Sequence, residues 1–168
     1  MPTNKEKLIQ DRIKRSNEFY RARKKKQEQE RQERKAKKQK IHQYNKLVDN
    51  LIETKDAVFW DTDLIDGEIP CSILIVPKQK LSNYYKCTIT YALTSKKDTF
   101  DYRIGRSICG ERQESSTTRH KVERIIHKNI FNNTNLLQYT IECFLIADCI
   151  LEQKISPRTI KKEHIWSL

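Results

Sequence analysis

Hydrophobic residues are unevenly distributed along the chain, and the first third has very few of them. Residues 4–54 contain no proline or glycine and consist largely of Gln, Glu, Lys, Arg and Ala, which favour helix. Weak apolar stripes at helical spacing occur only from Ile9 to Tyr20 and from Ile41 to Leu51. We predict one long helix, or two helices with a frayed middle, whose central part has no face to pack on a core.

Beyond Trp60 the pattern changes to short runs of β-branched and aromatic residues. The apolar segment CSILIVP (71–77) and the alternating segment YYKCTITYAL (84–93) predict two antiparallel strands. The segment KQKLSN between them predicts a hairpin connection.

The segment TFDYRIGRSICGER fits two different structures. Phe100, Ile104 and Ile108 recur every four residues, which favours a helix, and Asp98 is its expected cap. A short third strand through Tyr102 is the alternative.

Three helices are predicted in the last third of the chain. Residues 117–131 (TTRHKVERIIHKNIF) have helical spacing of Val and Ile, and residues 135–154 are apolar on most sides, which is typical of a central core helix. Residues 155–168 predict a last helix with Ser156 as its cap and Pro157 as its first residue.

These elements together predict an α+β fold: a long basic N-terminal helix, then a small antiparallel sheet of two or three strands packed with three to four helices. The charge predicts the domain boundary. Residues 1–45 hold sixteen Lys or Arg and six Asp or Glu, whereas residues 46–168 hold eighteen and sixteen. We therefore expect a basic, charged helical arm (1–45) and a small α+β globular domain (46–168).

The most basic stretch is YRARKKKQEQERQERKAKKQK (20–40), which carries eleven Lys or Arg and three Glu. In a helix this is about one cation every 3 Å, a density comparable to the phosphate charge of a duplex. An exposed spacer helix, partly neutralised by its own glutamates, is the alternative. The predicted phosphate-binding residues are Arg21, Arg23, Lys24, Lys25, Lys26, Arg31, Arg34, Lys35, Lys37, Lys38 and Lys40.

A second group of predicted nucleic-acid-binding residues is Arg103, Arg106 and Arg112. In a helix, Arg103 and Arg106 project from one side because they are three residues apart. Gly105 and Gly110 permit close backbone approach, which suits a phosphate-facing surface. Packing is the alternative: the glycines would let two elements approach, and the arginines would pair with nearby acids.

Tyr91 and the segment YRIGRS (102–107) resemble the two tyrosine-containing strands of GIY-YIG endonucleases. The resemblance implies a nuclease in which Arg112 stands near the family's essential arginine and Glu142 serves as a metal ligand. The first motif lacks its glycine, and Arg103 splits the second. A degenerate nuclease is therefore kept as a minor alternative.

Two further resemblances concern nucleic-acid-binding domains. The segment ISPRTIKK (155–162) resembles the start of the recognition helix in helix-turn-helix transcription factors, with packing of Ile160 and Trp166 on the core as the alternative. The order helix, strands, helix is similar to that of double-stranded-RNA-binding domains, without the family's basic start to the last helix.

The remaining signals concern location and cofactors. The chain has five cysteines and no CxxC pair, which predicts thiols in a reducing compartment, cytoplasm or nucleus. No secretory signal is apparent, and the longest apolar run, 143–151, is too short for a bilayer and contains Asp148, so we expect a soluble, intracellular protein. Phosphate-binding loops, dinucleotide fingerprints, nucleophile motifs and zinc-site spacings are absent from the sequence, so no cofactor or metal is expected.

The sequence thus predicts a non-enzymatic accessory protein that binds RNA or DNA through a basic helical arm. Ribonucleoprotein, nucleoid and viral genome-handling proteins fit this description. The alternative is a protein-interaction or assembly module, in which the N-terminal helix is a spacer or pairs with an acidic partner helix.

Overall fold

A computed structural model describes residues 4–64, 69–94, 99–116 and 120–151, with side chains for 12–64, 69–94, 99–116 and 120–147. The helix predicted at 155–168, including its ISPRTIKK segment, lies outside the described residues. The chain divides into two compact units, Met1–Lys40 and Ile41–Leu168, and we call the second unit the body.

The predicted α+β fold is confirmed, with four strands in the described residues rather than two or three. The long helix is continuous. The elements are α1 (Asn4–Lys55), β1 (Val58–Asp63), β2 (Ile69–Lys80), β3 (Tyr84–Leu93), α2 (Tyr102–Glu114), β4 (Lys121–His127), α3 (Lys128–Phe131) and α4 (Thr134–Leu151).

The sheet is an antiparallel meander in the order β1-β2-β3-β4. The predicted hairpin is confirmed, since β2 pairs with β3, but its connection is shorter than the predicted KQKLSN because residues 78–80 belong to β2. In the connection, Leu81 N–H donates to the Tyr84 carbonyl oxygen at 2.9 Å. The strand β1 was not predicted, because only the first half of VFWDTD is apolar. The order α1–β1–β2–β3–α2 reproduces the helix–strands–helix order noted above, and β4 follows it.

Both faces of the sheet are covered, so the body has three layers. On one face, alternate residues such as Ile73 and Ile89 form a buried cluster with Leu137, Ile141 and Leu145 of α4, which confirms the predicted core helix over the described residues. On the other face, Leu74 and Val76 of β2 form a cluster with Val48 of α1 and Cys109 of α2. Burial on both faces explains the unbroken apolar run in β2, since alternate residues face opposite layers.

Over the described residues 120–131, the helix predicted at 117–131 is wrong. The chain forms β4 there and then the single turn α3, and β4 pairs with β3. Ile125 and Ile126 show the period of two that defines a strand: Ile126 is 5% exposed and Ile125 is 66% exposed. Adjacent β-branched residues fit either structure, and the unpaired edge of β3 decides in favour of the strand.

The ambiguous segment forms the helix α2, and the strand alternative through Tyr102 is wrong. Its cap is Asp101 rather than the predicted Asp98: the Asp101 carboxylate accepts from the Arg103 backbone N–H at 2.8 Å. This bond satisfies one of the backbone donors that a helix leaves open at its first turn.

Helix α1 ends at Lys55 because Asp56 adopts a left-handed conformation with φ of 52°. The next backbone N–H, of Ala57, donates back to the Leu51 carbonyl oxygen at 3.3 Å. The turn directs the chain into β1, and it places Lys55 and Asp56 beside the sheet.

Candidate nucleic-acid interface

The basic segment, Tyr20–Lys40, is helical and exposed at every residue. All eleven predicted phosphate-binding residues of α1 therefore present their side chains to solvent. Within the segment, the Gln29 side-chain amide donates to Glu33 at 3.1 Å, an i,i+4 contact along the helix surface. The segment belongs to the first unit and contributes nothing to either buried cluster of the body.

The charges of the basic segment are not evenly placed around the helix. At about 100° per residue, Glu28, Glu30 and Glu33 leave an arc of about 160° without a carboxylate. Within that arc, four cations follow the i, i+3, i+4, i+7 spacing of a single helix face. We call this set the basic stripe: Arg31, Arg34, Lys35 and Lys38.

The structure does not bring Arg103, Arg106 and Arg112 together on one surface. Arg103 is exposed, and its Nε donates to the hydroxyl of the adjacent Tyr102 at 3.1 Å. Arg112 lies on the other side of α2, about 120° or more from the other two arginines around the helix axis. Its Nη1 donates to the backbone carbonyl of Tyr91, which ties α2 to β3.

Arg106 lies in the contact between α1 and α2. Its Nη2 is 2.5 Å from the Asp49 carboxylate, and its guanidinium stands 4.9 Å from the ring centroid of Phe59. A cation over an aromatic face is attracted by the ring quadrupole, so both contacts hold the arginine against the body. Arg106 and Arg112 thus make the packing contacts that the alternative interpretation describes. Nucleic-acid contact by these residues stays a prediction.

The two glycines of α2 let it approach its neighbours closely. A Cβ at Gly105 would overlap the Ser72 hydroxyl of β2 and come within 2.9 Å of Ser72 Cβ. A Cβ at Gly110 would lie 2.9 Å from the Tyr44 carbonyl oxygen and 3.1 Å from Val48 Cγ2 of α1. Gly105 therefore packs against the sheet and Gly110 against α1.

The geometry implied by the GIY-YIG resemblance is not present. Tyr91 is buried in β3, but YRIGRS forms the start of helix α2 rather than a second strand. Glu142 accepts a hydrogen bond from the Trp60 indole N–H at 3.2 Å, which joins α4 to β1. Among the described residues, no group of three or more His, Cys, Asp or Glu is placed to hold a metal ion.

A second basic surface, which sequence reasoning missed, lies on the body. Lys55, Asp56, Lys78, Lys80 and Tyr85 line a cleft of about 320 Å³ at the end of the sheet, and we call it the lysine cleft. These residues come from the end of α1, from β2 and from β3, so their order along the chain does not reveal the group. Proline at position 77, the last residue of the predicted strand, was the one sequence signal of an irregularity there.

The described cysteines are thiols that pack as apolar residues. Cys71, Cys87 and Cys109 are buried and Cys143 is half-buried. Burial raises the pKa of the Cys87 thiol to about 12, and the pKa of Cys109 rises to about 12 for the same reason. The Cys109 thiol also donates to the Ser72 carbonyl oxygen at 3.2 Å.

Comparison with known proteins gives no relative from which a function could be transferred. No protein-family description, curated protein or solved structure matches the chain. In the part of the chain that the structure describes, no helix is long and apolar enough to cross a membrane.

Proposed function

We propose that this protein is a non-enzymatic nucleic-acid-binding protein that holds the phosphate backbone through the basic segment of α1. The observation that carries the proposal is a fully exposed helical segment with eleven cations and three carboxylates. Such a density of cations in one helix releases counterions when it lies along a polyanion, and this release favours binding.

Two other partners fit the segment less well. A helix that lies on a lipid surface needs an apolar face to bury, and from Arg21 to Lys40 the only hydrophobic residues are two alanines. A helix that pairs with an acidic helix in a coiled coil needs apolar residues repeating at two heptad positions, which the segment also lacks. A partner whose negative charge is dense and whose binding requires no apolar contact fits better, and nucleic acid has both properties.

The basic stripe is the face that we assign to phosphate contact. Arg31 and Arg34 can each donate two parallel hydrogen bonds to phosphate oxygens, and Lys35 and Lys38 supply point charges on the same face. Since this face carries no carboxylate, an approaching backbone meets no repulsion there.

The test is the affinity of the full chain for single-stranded RNA, duplex RNA and duplex DNA, measured by fluorescence anisotropy. The salt concentration runs from about 50 to 300 mM, where counterion release is visible. We expect binding whose log–log salt dependence has a slope near −0.9 for each phosphate contacted on a duplex. Absence of binding to all three at the lowest salt would overturn the proposal and direct the search to protein partners.

Two matched variants test the assignment to one face. The first replaces Arg31, Arg34, Lys35 and Lys38 by glutamine, and the second replaces Arg21, Arg23, Lys25 and Lys26. Both remove two arginines and two lysines from the same helix, but the second set is spread around the helix axis. At 0.1 M salt, each lost duplex phosphate contact lowers affinity about eightfold, so we expect a loss of up to about 4 × 10³-fold for the first variant and much less for the second. Equal losses would show that net charge matters and the face does not.

A further inference from the structure

The strand β2 contains an irregularity at Lys78. Pro77 pairs with Cys87 and Gln79 pairs with Lys86, so Lys78 is an extra residue without a cross-strand partner. Proline has no backbone N–H to donate to the sheet, which accounts for the break in the ladder at this point. A bulge of this kind re-aims a side chain relative to the regular alternation, and here it adds Lys78 to the lysine cleft.

We infer that the lysine cleft is a second phosphate-binding site, which holds a backbone phosphate group of a nucleic acid. Lys55, Lys78 and Lys80 line it, together with one carboxylate, from Asp56. The C-terminal end of α1 adds a partial negative charge of about 0.5, so the lining keeps an excess of about one and a half positive charges. The identity of the polymer rests on the proposed function, whereas the preference for a phosphate group rests on the cleft itself.

Neighbouring cations reinforce the positive charge. The Nζ atom of Lys121 is held by the carbonyl oxygens of Gln113 and Ser115, at 2.8 and 2.9 Å. The Nζ atom of Lys128 stands 5.8 Å from the ring centroid of Tyr85 in the cleft wall.

The pKa of Lys78 is affected both by burial and by these neighbouring charges. Its pKa lies below the usual 10.5, first because of partial burial and then because of repulsion from Lys55 and Lys121. The carboxylate that acts in the opposite direction, Glu123, is paired with Lys86 at 3.0 Å. A phosphate group in the cleft would relieve the repulsion, and the pKa of Lys78 would rise on binding.

The test compares Lys78→Gln with Lys46→Gln in the full chain. Both residues are exposed lysines of the body, but Lys46 lies outside the cleft. At 0.1 M salt we expect Lys78→Gln to weaken duplex binding about eightfold and to reduce the salt slope by about 0.9, since one phosphate contact is lost. We expect Lys46→Gln to bind like the wild type and Lys78→Arg to retain most of the affinity. Equal affinity of the Lys78→Gln and Lys46→Gln variants would overturn the inference and leave the proposed function standing.

A second measurement decides the inference if the wild type does not bind nucleic acid. The pKa of Lys78 is followed by NMR at its ¹³Cε atom, assigned from the Lys78→Gln spectrum, with and without inorganic phosphate. A rise in that pKa with phosphate would support the cleft as a phosphate-binding site, and only the assignment of nucleic acid as its ligand would be rejected. An unchanged pKa would overturn the site as well.

Discussion

The two parts of helix α1 on either side of Lys40 have the same helical backbone but differ in burial: the first is exposed to solvent wherever its side chains are described, and the second packs in the body. From Tyr20 to Lys40 every side chain is exposed, and the cations outnumber the carboxylates by eleven to three. From Ile41 to Lys55 the helix packs in the body, where Val48 is fully buried and Leu51 is partly buried against the cluster that includes Leu74.

The difference shows that one helix can be stabilised in two ways. The packed part gains its stability from tertiary burial, as most protein helices do. The basic segment depends on intrinsic propensity and on i,i+4 contacts such as Gln29 with Glu33, which are worth only a few tenths of a kcal/mol each. A segment held this weakly by its own chain is available to a partner, whereas the packed part is committed to the fold.

The largest difference should appear when a hydrophobic side chain is shortened either in the cluster that packs on the second part of α1 or in the exposed first part. We expect Leu74→Ala, in the cluster that buries Val48, to lower the free energy of unfolding by about 2–5 kcal/mol, because it opens a cavity. Ile13→Ala, at a residue of α1 that is 55% exposed, should change it by less than about 0.5 kcal/mol. Urea unfolding followed by circular dichroism measures both, and similar losses would contradict the comparison.

A Cβ at the contact between α1 and α2 should have the next largest effect. We expect Gly110→Ala to destabilise the body by about 1–3 kcal/mol, because the methyl group would meet the Tyr44 carbonyl oxygen at 2.9 Å. In an exposed helix the same change would stabilise by about 1 kcal/mol. The sign of the effect, measured by urea unfolding, therefore tests the packing.

Ala36→Gly in the basic segment is the matched control for Gly110→Ala. Glycine is less favourable in a helix than alanine by about 1 kcal/mol, so the helical circular dichroism signal of the segment should fall. The unfolding midpoint of the body should stay unchanged. A shifted midpoint would mean that the segment contributes to the core.

The planar shape of the arginine side chain should matter for the stability of the body and not for the stability of the basic segment. Arg106→Lys loses the planar contact with Phe59 and weakens the pair with the partly exposed Asp49, so we expect a loss of about 1 kcal/mol. Arg34→Lys keeps the charge of an exposed residue and should have no measurable effect on stability. Thermal unfolding of the two variants provides the comparison, and an unaffected Arg106→Lys variant would show that the observed contacts do not hold α1 to α2.

An effect of similar size and opposite sign is expected at Gln113, which is 7% exposed and whose side-chain amide has no hydrogen-bond partner among the described residues. Gln113→Met removes a desolvated polar group at nearly constant shape, so the free energy of unfolding should rise by about 1 kcal/mol. The control, Gln29→Met, loses an exposed contact with Glu33 in the basic segment and should leave the free energy of unfolding of the body unchanged. A decrease for Gln113→Met would reveal a bridging water that satisfies the amide.

Local sequence patterns correctly predicted the elements in which many successive residues favour the same secondary structure. The long helix, the hairpin and α4 all have periodicities or compositions that fit one structure only. The strand β4 was missed because Val122, Ile125 and Ile126 suit a helix face as well as a strand, and only the edge of β3 decides between them. The cap of α2 was misplaced by three residues because Asp98 and Asp101 are both good caps.

The candidate sites depend on contacts between distant residues, which a single sequence does not display. The basic stripe follows from helical spacing alone once the helix is known. Arg106 meets Asp49 57 positions away, and Arg112 meets Tyr91 21 positions away. The lysine cleft combines the end of α1 with a bulge in β2 and a residue of β3, so it exists only after the sheet has formed.

The buried thiols have a consequence for the covalent chemistry of the protein. Reaction with an alkylating agent or an oxidant requires the thiolate, and a pKa of about 12 at Cys87 and Cys109 leaves almost none at neutral pH. Residues 1–70 contain no cysteine. A single cysteine placed at Gln27, in the exposed helix, would therefore react long before these two buried thiols. A probe attached there would follow the basic segment while Cys87 and Cys109 stay unmodified.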